Sequence, residues 1–353
     1  MKIYARLFLL LFVIPALQLN ARQPVSPGFD TLDKKLQAEF GNRFAFTVIV
    51  GDRDKILFRK AYGHADSLKK KKTTTETLFQ IASVNKAITA LGILCLAESG
   101  KLKLEDRIGK YIAHVPQDKE TITIHQLLTH TSGFQQRYVC DGLQKTQQAL
   151  DALLNDSLGA VPGTGFDYSN ENYELLAIII EKITAETYEH FTRENILDPL
   201  GMKHTFFWDE RSKLDKSAQI NQALPDSIFR KNWGYTGSGG IYSTTGDLYI
   251  FFSAVMNDRL ITKEMRETIF KDHYKTASGL GIGYGWYINS STDWNTRELW
   301  TRGNESWGHN AVIRWFPEKN KVIIVCTNSG EIGDKQVTGN RLVSNYIADF
   351  LWK

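Results

Sequence analysis

Hydrophobic and polar positions along the chain follow two different periods in turn. Near the N-terminus apolar residues recur with helical spacing over Phe29–Phe40, which predicts a helix. Two β-branched and aromatic runs follow, Phe44–Val50 and Ile56–Tyr62, joined by the turn-like segment Gly51-Asp52-Arg53-Asp54. This arrangement predicts a β-hairpin. From Leu78 to about Tyr235 the spacing becomes mainly helical.

The middle of the chain is predicted to form helices, whereas the part after Gly237 is predicted to form mainly strands. Helices are predicted over Ser83–Ser99, Thr123–Thr129 and Glu171–Thr184, the first of them ending at Gly100. After Gly237 strands are predicted over Gly285–Ile288, Glu298–Thr301, Ala311–Phe316 and Lys321–Thr327. The closing amphipathic helix is predicted over Gln336–Trp352, with these side chains facing inward: Val337, Leu342, Tyr346, Ile347 and Phe350.

Strands at both ends of the chain therefore enclose a helical middle. There is no strand–helix–strand alternation, which excludes a doubly wound parallel sheet. The sequence predicts an α/β (α+β) sandwich with a central antiparallel sheet built from both termini, flanked by helices and joined to an inserted helical subdomain. Residues 22–80 and 236–353 would form the α/β part of this single domain, and residues 81–235 the mostly helical part.

The first 21 residues have the pattern of a secretory signal peptide. Lys2 and Arg6 give a positive start, Leu7–Leu19 is almost entirely apolar, and Leu19-Asn20-Ala21 is a tolerable exit site. The apolar run is shorter than the about 20 residues that a membrane span needs. We expect cleavage near residue 21, no stable membrane span, and a mature protein in the periplasm or outside the cell. The alternative is a buried N-terminal helix.

Composition and charge narrow the class of protein. Hydrophobic residues make up 42% and charged residues 23% of the 353 residues, close to globular usage, which excludes a disordered or collagen-like chain. The net charge of +4 falls by two without Lys2 and Arg6, too weak a balance to indicate nucleic-acid binding. The short basic run Lys69–Lys72 lacks interleaved aromatic residues and predicts a solvated turn.

Cysteine and histidine positions give no sign of a metal or a disulfide framework. Cys95, Cys140 and Cys326 are an odd number, and Cys95 and Cys326 lie in apolar patterns typical of a core. His125 and His130 are five residues apart, which is not the spacing of helical zinc ligands. We expect no metal and no cofactor.

A serine and a lysine at the start of a helical stretch are the first candidates for chemistry. Ser83 and Lys86 are three residues apart, so on a helix they lie on one face. A serine needs a nearby base to become a nucleophile, and a lysine can be that base when burial and positive neighbours favour loss of its proton. Taken alone, the pair is more typical of a solvated helix face, because this spacing arises by chance in many helices.

A second candidate pair lies 85 residues further on. Tyr168 and Asn170 follow the turn Pro162-Gly163-Thr164-Gly165 and precede a helix. A tyrosine there can relay a proton, and an asparagine amide can hold a substrate carbonyl. The alternative is a tyrosine packed at the helix N-terminus, with Ser169 or Asn170 as the cap.

Together with three further runs, these residues resemble the serine β-lactamase and penicillin-binding protein family. The resemblance covers about Phe44 to Asn328 and is closest to the branch of class C β-lactamases, DD-peptidases, D-aminopeptidases and β-lactamase-like esterases. It rests on these runs: Ser83–Lys86, Ile124–Gly133, Tyr168–Asn170, Pro199–Met202 and Gly237–Ser243. It implies a five-stranded sheet, Ser83 as the acylated nucleophile, Lys86 and Tyr168 as the acid/base pair, and Asn170 as the residue that orients the acyl group.

The third motif of that family is altered in this chain. The family has Lys-Thr-Gly or His-x-Gly on the strand that borders the cleft, followed by a second glycine. Matching that second glycine to Gly308 places Arg302-Gly303-Asn304 on the motif, and a shift by one residue places Thr301-Arg302-Gly303 there. We prefer the first register because it needs no insertion.

The preferred register implies a set of substrate-binding groups. The oxyanion hole would use the backbone N–H groups of Ser83 and Glu305, while Gly303 and Asn304 would border it. Arg302 would stand for the basic residue, where its guanidinium can pair with a carboxylate but cannot act as a base. The alternative for Arg302 is an exposed strand residue.

The leading functional hypothesis is a secreted serine hydrolase that forms an acyl-enzyme on an ester, amide or peptide. Its partner would be a small-molecule or peptide substrate. A true β-lactamase is the alternative within this class, and a non-catalytic binder or sensor of cell-wall fragments is the alternative outside it.

Overall fold

The computed structural model describes residues 27–66, 68–210, 218, 230–332 and 337–353. The predicted signal peptide, 1–21, lies outside the described residues. Within these ranges the helices are α1 (Pro27–Phe40), α2 (Asn85–Glu98), α3 (Ile124–Leu128), α4 (Thr146–Asn155), α5 (Asn170–Thr184), α6 (Tyr188–Thr192), α7 (Asp198–Leu200), α8 (Thr245–Met256), α9 (Lys263–Ile269) and α10 (Gly339–Trp352). A π-helical turn, Arg193–Leu197, joins α6 to α7.

The strands in the same ranges vary from two to seven residues. They are β1 (Phe46–Gly51), β2 (Ile56–Tyr62), β3 (Phe79–Gln80), β4 (Phe206–Phe207), β5 (Ile241–Ser243), β6 (Tyr274–Lys275), β7 (Gly281–Ile282), β8 (Tyr287–Asn289), β9 (Glu298–Asn304), β10 (Asn310–Phe316), β11 (Lys321–Thr327), β12 (Glu331–Ile332) and β13 (Val337–Thr338).

One antiparallel sheet joins the two ends of the chain. Its strands have the spatial order β2-β1-β11-β10-β9-β8-β7-β6, and β1 pairs with β11 so that Val48 lies opposite Val325. The predicted antiparallel sheet with flanking helices is confirmed. The expected number of strands is wrong for the described residues: five strands of six or seven residues are present, and β6, β7 and β8, of two or three residues, extend the sheet beyond β9.

Helices cover both faces of this sheet. Side chains alternate along a strand, so Val48 of β1 packs in a cluster that includes Leu36 of α1 and Ile347 of α10. Ile49, its neighbour, packs in the cluster on the other face, which includes Leu248 of α8. Every residue of β1 is buried, which places the core on both sides of the sheet centre.

The helical part lies between β3 and β4 in the sequence, and α2 is its most buried element. Eleven of the fourteen residues of α2 are buried, as expected of a helix that is apolar on all sides. No helix in the described ranges combines the length and the apolar character that crossing a bilayer requires.

Several predicted elements differ from the observed ones at their ends, and β9 continues three residues beyond its predicted end at Thr301. The predicted helix at Ser83 begins with a 3₁₀ turn, Ala82–Val84, and α2 starts only at Asn85. The closing helix starts at Gly339 because Thr338 is extended, with ψ of 144°, and Val337 belongs to β13. Strand β8 starts at Tyr287 because φ at Gly285 is +71°, outside the strand region.

Candidate active site

The backbone at Ser83 has an unusual conformation. Ser83 is the middle residue of the 3₁₀ turn before α2, and Ala82 beside it has φ of +47°. This left-handed conformation is costly for a residue with a side chain. Packing on both sides holds it in place: Ile81 N–H donates to Ile241 O at 3.0 Å, and Gly303 of β9 abuts the turn. Ser83 is thereby presented at a cleft.

Two groups able to transfer protons contact the same hydroxyl. The Tyr168 hydroxyl lies 2.7 Å from Ser83 Oγ, and Lys86 Nζ donates to Ser83 Oγ at 3.0 Å. The three-residue spacing of Ser83 and Lys86 thus corresponds to a direct hydrogen bond, and this pair does not lie on a solvated helix face. Lys86 is only 3% exposed.

Lys86 is held by three acceptors, one for each of its N–H groups. Besides Ser83 Oγ, it donates to Asn170 Oδ1 at 2.7 Å and to the backbone oxygen of Ser238 at 3.0 Å. Its ammonium also lies 4.9 Å from the centre of the Tyr168 ring. Three separate segments of the chain, the turn before α2, the loop that leads into α5 and the stretch before β5, therefore fix the position of this one charge.

Asn170 is the first residue of α5, at the end of the loop that carries Tyr168. Its side-chain oxygen faces Lys86, and its backbone N–H donates to Gln136 Oε1 at 2.8 Å. With its oxygen engaged, the Asn170 amide N–H groups are the part that can hold a substrate carbonyl. Gln136 had no role in the sequence analysis, since its loop contains no motif.

His130 packs against Tyr168 and helps to position it. Its ring packs 4.7 Å from the ring of Tyr168, centre to centre, and its Nδ1 accepts a hydrogen bond from Ser169 N–H at 3.3 Å. Burial, and after it the Lys86 ammonium, holds the pKa of His130 well below its usual value, so the ring is neutral at pH 7. The sequence signal for this positioning role was only its place in the run Ile124–Gly133.

A buried carboxylate orders the loop next to Asn170. Glu171 of α5 is fully buried and accepts hydrogen bonds from the backbone N–H groups of Arg137, at 2.9 Å, and Tyr138, at 2.5 Å. Its second oxygen accepts from Ser169 Oγ at 2.7 Å. Glu171 appeared in the sequence only as the start of a helix, because nothing in a helical pattern distinguishes a buried acid from an exposed one.

The strand β9 decides the register of the third motif. Thr301 and Gly303 are buried on one face of β9, while Arg302 and Asn304 are exposed on the other. A Cβ on Gly303 would overlap the backbone oxygen of Ile81 and lie 2.5 Å from Ser83 N, so only glycine fits there. Asn304 has no such constraint. The structure therefore favours the register Thr301-Arg302-Gly303, and the preferred placement of Asn304 at the motif glycine is corrected.

The second donor of the predicted oxyanion hole is also corrected. Glu305 N–H donates to His309 O at 2.8 Å, so it points toward β10 and away from the cleft. Successive N–H groups of a strand point to opposite edges, and Asn304 N–H therefore points to the other edge of β9. On that edge β8 pairs only with Glu298, Leu299 and Trp300, which leaves Asn304 N–H, beside Ser83 N–H, as the donor facing the cleft.

Arg302 borders the cleft from the opposite face of β9. It lines the cleft together with Ser83 and Tyr287, and its guanidinium carbon lies 5.3 Å from the centre of the Trp300 ring. No carboxylate among the described residues lies within 4.0 Å of it. A guanidinium without an ion-pair partner at the end of a cleft can bind a carboxylate.

The far wall of the cleft is a segment that the sequence did not single out as functional. Gly283, Gly285 and Trp286 line it opposite Ser83. A Cβ on Gly285 would lie 2.7 Å from the Cα of Ala87, so glycine lets this segment touch the first turn of α2. The signal in the sequence, a repeated glycine before a strand, was too common to interpret.

His309, directly before β10, is a packed residue. It is 2% exposed, and its Nδ1 accepts a hydrogen bond from Gln80 N–H at 3.0 Å. Burial lowers the pKa of His309 to about 4, so the ring is neutral at pH 7.

Known proteins are similar to this chain in both sequence and fold. A β-lactamase family model matches residues 33–346. Penicillin-binding protein 4* of Bacillus subtilis (strain 168) is 29% identical over 339 residues, which cover 88% of this chain and 73% of that protein. Protein flp of Staphylococcus aureus (strain MW2) is 29% identical over 80% of this chain, which spans only 59% of the length of flp.

Two solved structures have the same fold. The octameric penicillin-binding protein homologue from Pyrococcus abyssi superposes with a TM-score of 0.77 at 24% identity, covering 91% of this chain and 76% of its own. FmtA from Staphylococcus aureus superposes with a TM-score of 0.76 at 23% identity, covering 92% of this chain and 89% of its own. Since the family model spans nearly all of the sequence, and the fold agrees with it, the chain belongs to the β-lactamase family.

Proposed function

We propose that this protein is a serine hydrolase that forms an acyl-enzyme on Ser83 and cleaves an ester, amide or peptide bond. The observation that carries the proposal is the contact of one hydroxyl oxygen with two proton-transfer groups, Tyr168 at 2.7 Å and Lys86 at 3.0 Å. A serine oxygen becomes an effective nucleophile when a positioned base takes its proton. Membership in the β-lactamase family supports the same chemistry.

The reaction would proceed in two halves. Ser83 Oγ attacks the carbonyl carbon while the unprotonated member of the Lys86–Tyr168 pair takes its proton, and the pair then gives that proton to the leaving group. The negative charge on the carbonyl oxygen is stabilised by the backbone N–H groups of Ser83 and Asn304, which are aimed at the place where that charge develops. Water then attacks the acyl-enzyme, one of its protons passes through the same pair to Ser83 Oγ, and the acid product leaves.

The altered third motif favours this broad hydrolase over a true β-lactamase. The family resemblance assigns a lysine or histidine of the third motif to holding the β-lactam carboxylate, and here Thr301 occupies that position on the Ser83 face of β9. A non-catalytic binder is the remaining alternative. The contacts of Lys86 and Tyr168 with the Ser83 hydroxyl favour catalysis, because a binder has no need of two proton-transfer groups on one hydroxyl.

A turnover assay tests the proposal. Hydrolysis is measured for a panel of aryl esters, D-amino acid peptides and β-lactams, with the wild type, Ser83→Ala and, as a matched control, Ser278→Ala in an exposed turn. We expect the wild type and the control to turn over at least one ester or peptide and Ser83→Ala to lose that activity. Equal turnover by Ser83→Ala would contradict the proposal.

We also propose that the protein acts outside the cytoplasm after removal of residues 1–21. The support is the charged start, the apolar run and the small-residue exit in the sequence. N-terminal sequencing of the protein purified from a bacterial host that expresses the whole chain tests this. We expect a start near residue 22, and an intact start at Met1 would contradict it.

A further inference from the structure

A second cavity lies outside the cleft and is lined by three arginines. Its volume is about 650 Å³, and Arg53, Arg266 and Arg297 line it together with several apolar side chains. This volume is within the range of small-molecule binding sites, about 300–1,000 Å³. None of its described lining residues borders the cleft at Ser83, so the cavity is a separate place for a ligand.

Two of these arginines converge on one carbonyl oxygen. Met256 O, at the end of α8, accepts hydrogen bonds from Arg53 Nη2 and from Arg266 Nη1, the second at 2.8 Å. The negative end of the helix dipole, equivalent to about half a charge, offsets only part of the two positive charges. Like charges in such proximity repel each other, so this pair favours further negative charge beside it.

Only one of the two converging guanidinium groups has a carboxylate partner. Arg266 Nη1 lies 2.7 Å from Asp258 Oδ1, whereas no carboxylate of a described residue lies within 4.0 Å of Arg53. The side-chain acceptor of Arg53, Asn257 Oδ1 at 3.2 Å, is neutral, and the buried Nε of Arg53 has no acceptor in the described ranges. Arg53 therefore keeps a charge that an anionic ligand can neutralise.

Contacts with α8 hold Arg53 in place before any ligand binds. Arg53 lies at the tip of the β1–β2 hairpin, and its backbone oxygen accepts hydrogen bonds from Ser253 Oγ at 2.9 Å and Asn257 Nδ2 at 3.2 Å. The Tyr249 hydroxyl donates to Asp52 O at 3.1 Å. Because the hairpin tip is fixed to the helix, binding would need little further ordering of the backbone.

The remaining charges leave the lining positive. Asp54 and Glu267 are the two acidic side chains of the described lining, against three arginines, so its net charge is +1. Glu267 lies 3.8 Å from Lys263, and Arg297 lies 4.0 Å from Glu318. These outer charges are paired with each other's opposites near the surface, which leaves Arg53 as the described cation in need of an anion.

Most of the other lining side chains are apolar. They are Met256, Phe270, Leu299, Trp315 and Pro317. An inorganic anion would leave this apolar surface in contact with water. A ligand with an apolar body would cover it, which is favourable.

We propose that this cavity binds a small anionic amphiphile, with its carboxylate or phosphate group paired with Arg53 and its apolar body packed on Leu299 and Trp315. The planar fork of a guanidinium matches both head groups. The site is independent of Ser83, and binding there requires no hydrolysis.

Calorimetry with matched ligands tests the proposal. Octanoate and octyl phosphate carry both parts of the ligand, octanamide lacks the charge, and acetate lacks the apolar body. We expect the wild type to bind octanoate or octyl phosphate at least about tenfold more tightly than octanamide or acetate. Arg53→Gln should weaken the binding of the charged amphiphile about tenfold, as expected for the loss of a charge-assisted hydrogen bond, and Arg297→Gln should weaken it as well.

Two control variants locate the ligand. Arg43→Gln removes an exposed arginine outside the cavity, and Arg302→Gln removes the arginine that borders the cleft. Both should keep the wild-type affinity. A loss of affinity in Arg302→Gln that is absent in Arg53→Gln would place the ligand in the cleft and overturn the inference.

The remaining outcomes are also decisive. Equal affinity for octanoate, octyl phosphate and octanamide overturns the inference, as does an unchanged affinity in both Arg53→Gln and Arg297→Gln. If circular dichroism shows that Arg53→Gln does not fold, Arg297→Gln decides, because the Arg297 side chain is 45% exposed. No measurement here depends on hydrolysis, so this inference and the proposed function fail separately.

Discussion

Lys86 is buried and hydrogen-bonded to acceptors from three other segments of the chain, and each of them carries part of the site. Ser83 precedes α2, Asn170 begins α5, and Ser238 lies before β5. Removal of the ammonium would leave these acceptors without a donor and Ser83 with only Tyr168 as a partner. A buried acceptor without a partner costs about 1–3 kcal/mol, so this residue matters for both the chemistry and the local structure.

We expect Lys86 and Tyr168 to act as one unit. Both contact Ser83 Oγ, and the Lys86 ammonium lies 4.9 Å from the Tyr168 ring, so they share one proton path. Lys86→Ala and Tyr168→Phe should each lower kcat/KM by roughly a hundredfold or more, and the double variant should lose little beyond the larger single loss. Steady-state kinetics on one ester substrate measures this. Multiplying losses in the double variant would contradict a shared path.

The buried carboxyl of Glu305 predicts an unusual dependence of stability on pH. Burial is the largest influence and raises the pKa of Glu305 from 4.5 to about 8. Lys86 acts in the opposite direction, and Asp141 raises the pKa further. Between these two values the unfolded chain ionises Glu305 while the folded chain keeps the proton, so stability falls as pH rises, by at most about 1.4 kcal/mol per unit. Above about pH 8 both states are ionised and this loss stops growing.

Glu305→Gln removes that dependence. Denaturant unfolding at pH 5, 6, 7 and 8 should show the free energy of unfolding of the variant gaining on the wild type at each step. Glu267→Gln, on the surface of α9, should follow the wild type. A constant difference between Glu305→Gln and the wild type across this range would show that the carboxyl is ionised in the folded state at pH 5.

At the scale of single residues, the side chains of the local motifs could be predicted from the sequence. The directions in which backbone N–H groups point could not. Ser83, Lys86, Tyr168 and Asn170 follow from spacing and from the family resemblance, and the structure brings all four together. Glu305 N–H was the wrong oxyanion donor because its direction depends on how β9 pairs with β10. That pairing is a contact between strands and leaves no trace in a single sequence.

Among the elements, β9 is the one that shapes the cleft. Its outer edge is unpaired beyond Trp300, and Gly303 lets it touch the turn that carries Ser83. The five long strands could be predicted from their β-branched and aromatic runs, although β9 was predicted to end at Thr301, three residues before its observed end. The two-residue strands β6 and β7 could not, because two residues carry no period.

Gly303→Ala should disable the site through this contact. The added Cβ would overlap Ile81 O and come within 2.5 Å of Ser83 N, which must displace the turn or the strand. We expect kcat/KM to fall by at least about a hundredfold, because small displacements of a reacting group are costly in rate. Gly28→Ala, in α1 with nothing within 4 Å of the added Cβ, should keep full activity. Wild-type activity in Gly303→Ala would contradict the register Thr301-Arg302-Gly303.

The whole molecule is closed by contacts between its two ends. Strand β1 lies between β2 and β11, and α10 packs with α1 on the sheet face that contains Val48. This meeting of the termini was predicted from the positions of strands along the chain. The sequence predicted the start of α10 three residues too early, because Val337 fits the helical period although Thr338 is extended.

Ile347→Ala tests the contribution of this closure. Ile347 is fully buried against the sheet, and removing such a side chain costs about 2–5 kcal/mol through lost burial and the cavity left behind. Denaturant unfolding should show a loss of that size, while Arg341→Ala, exposed on the same helix, should change stability by less than about 0.5 kcal/mol. A negligible effect of Ile347→Ala would show that α10 is not needed to close the sheet.

The central claim is that Ser83 becomes acylated, and trapping the acyl-enzyme tests it most directly. The protein is mixed with an ester that it hydrolyses and quenched in acid within the turnover time. It is then analysed by intact-mass spectrometry followed by peptide mapping. We expect the wild type to gain the mass of one acyl group on the peptide that contains Ser83, and Ser83→Ala to gain none. An adduct on another residue, or undiminished turnover in Ser83→Ala, would contradict the account.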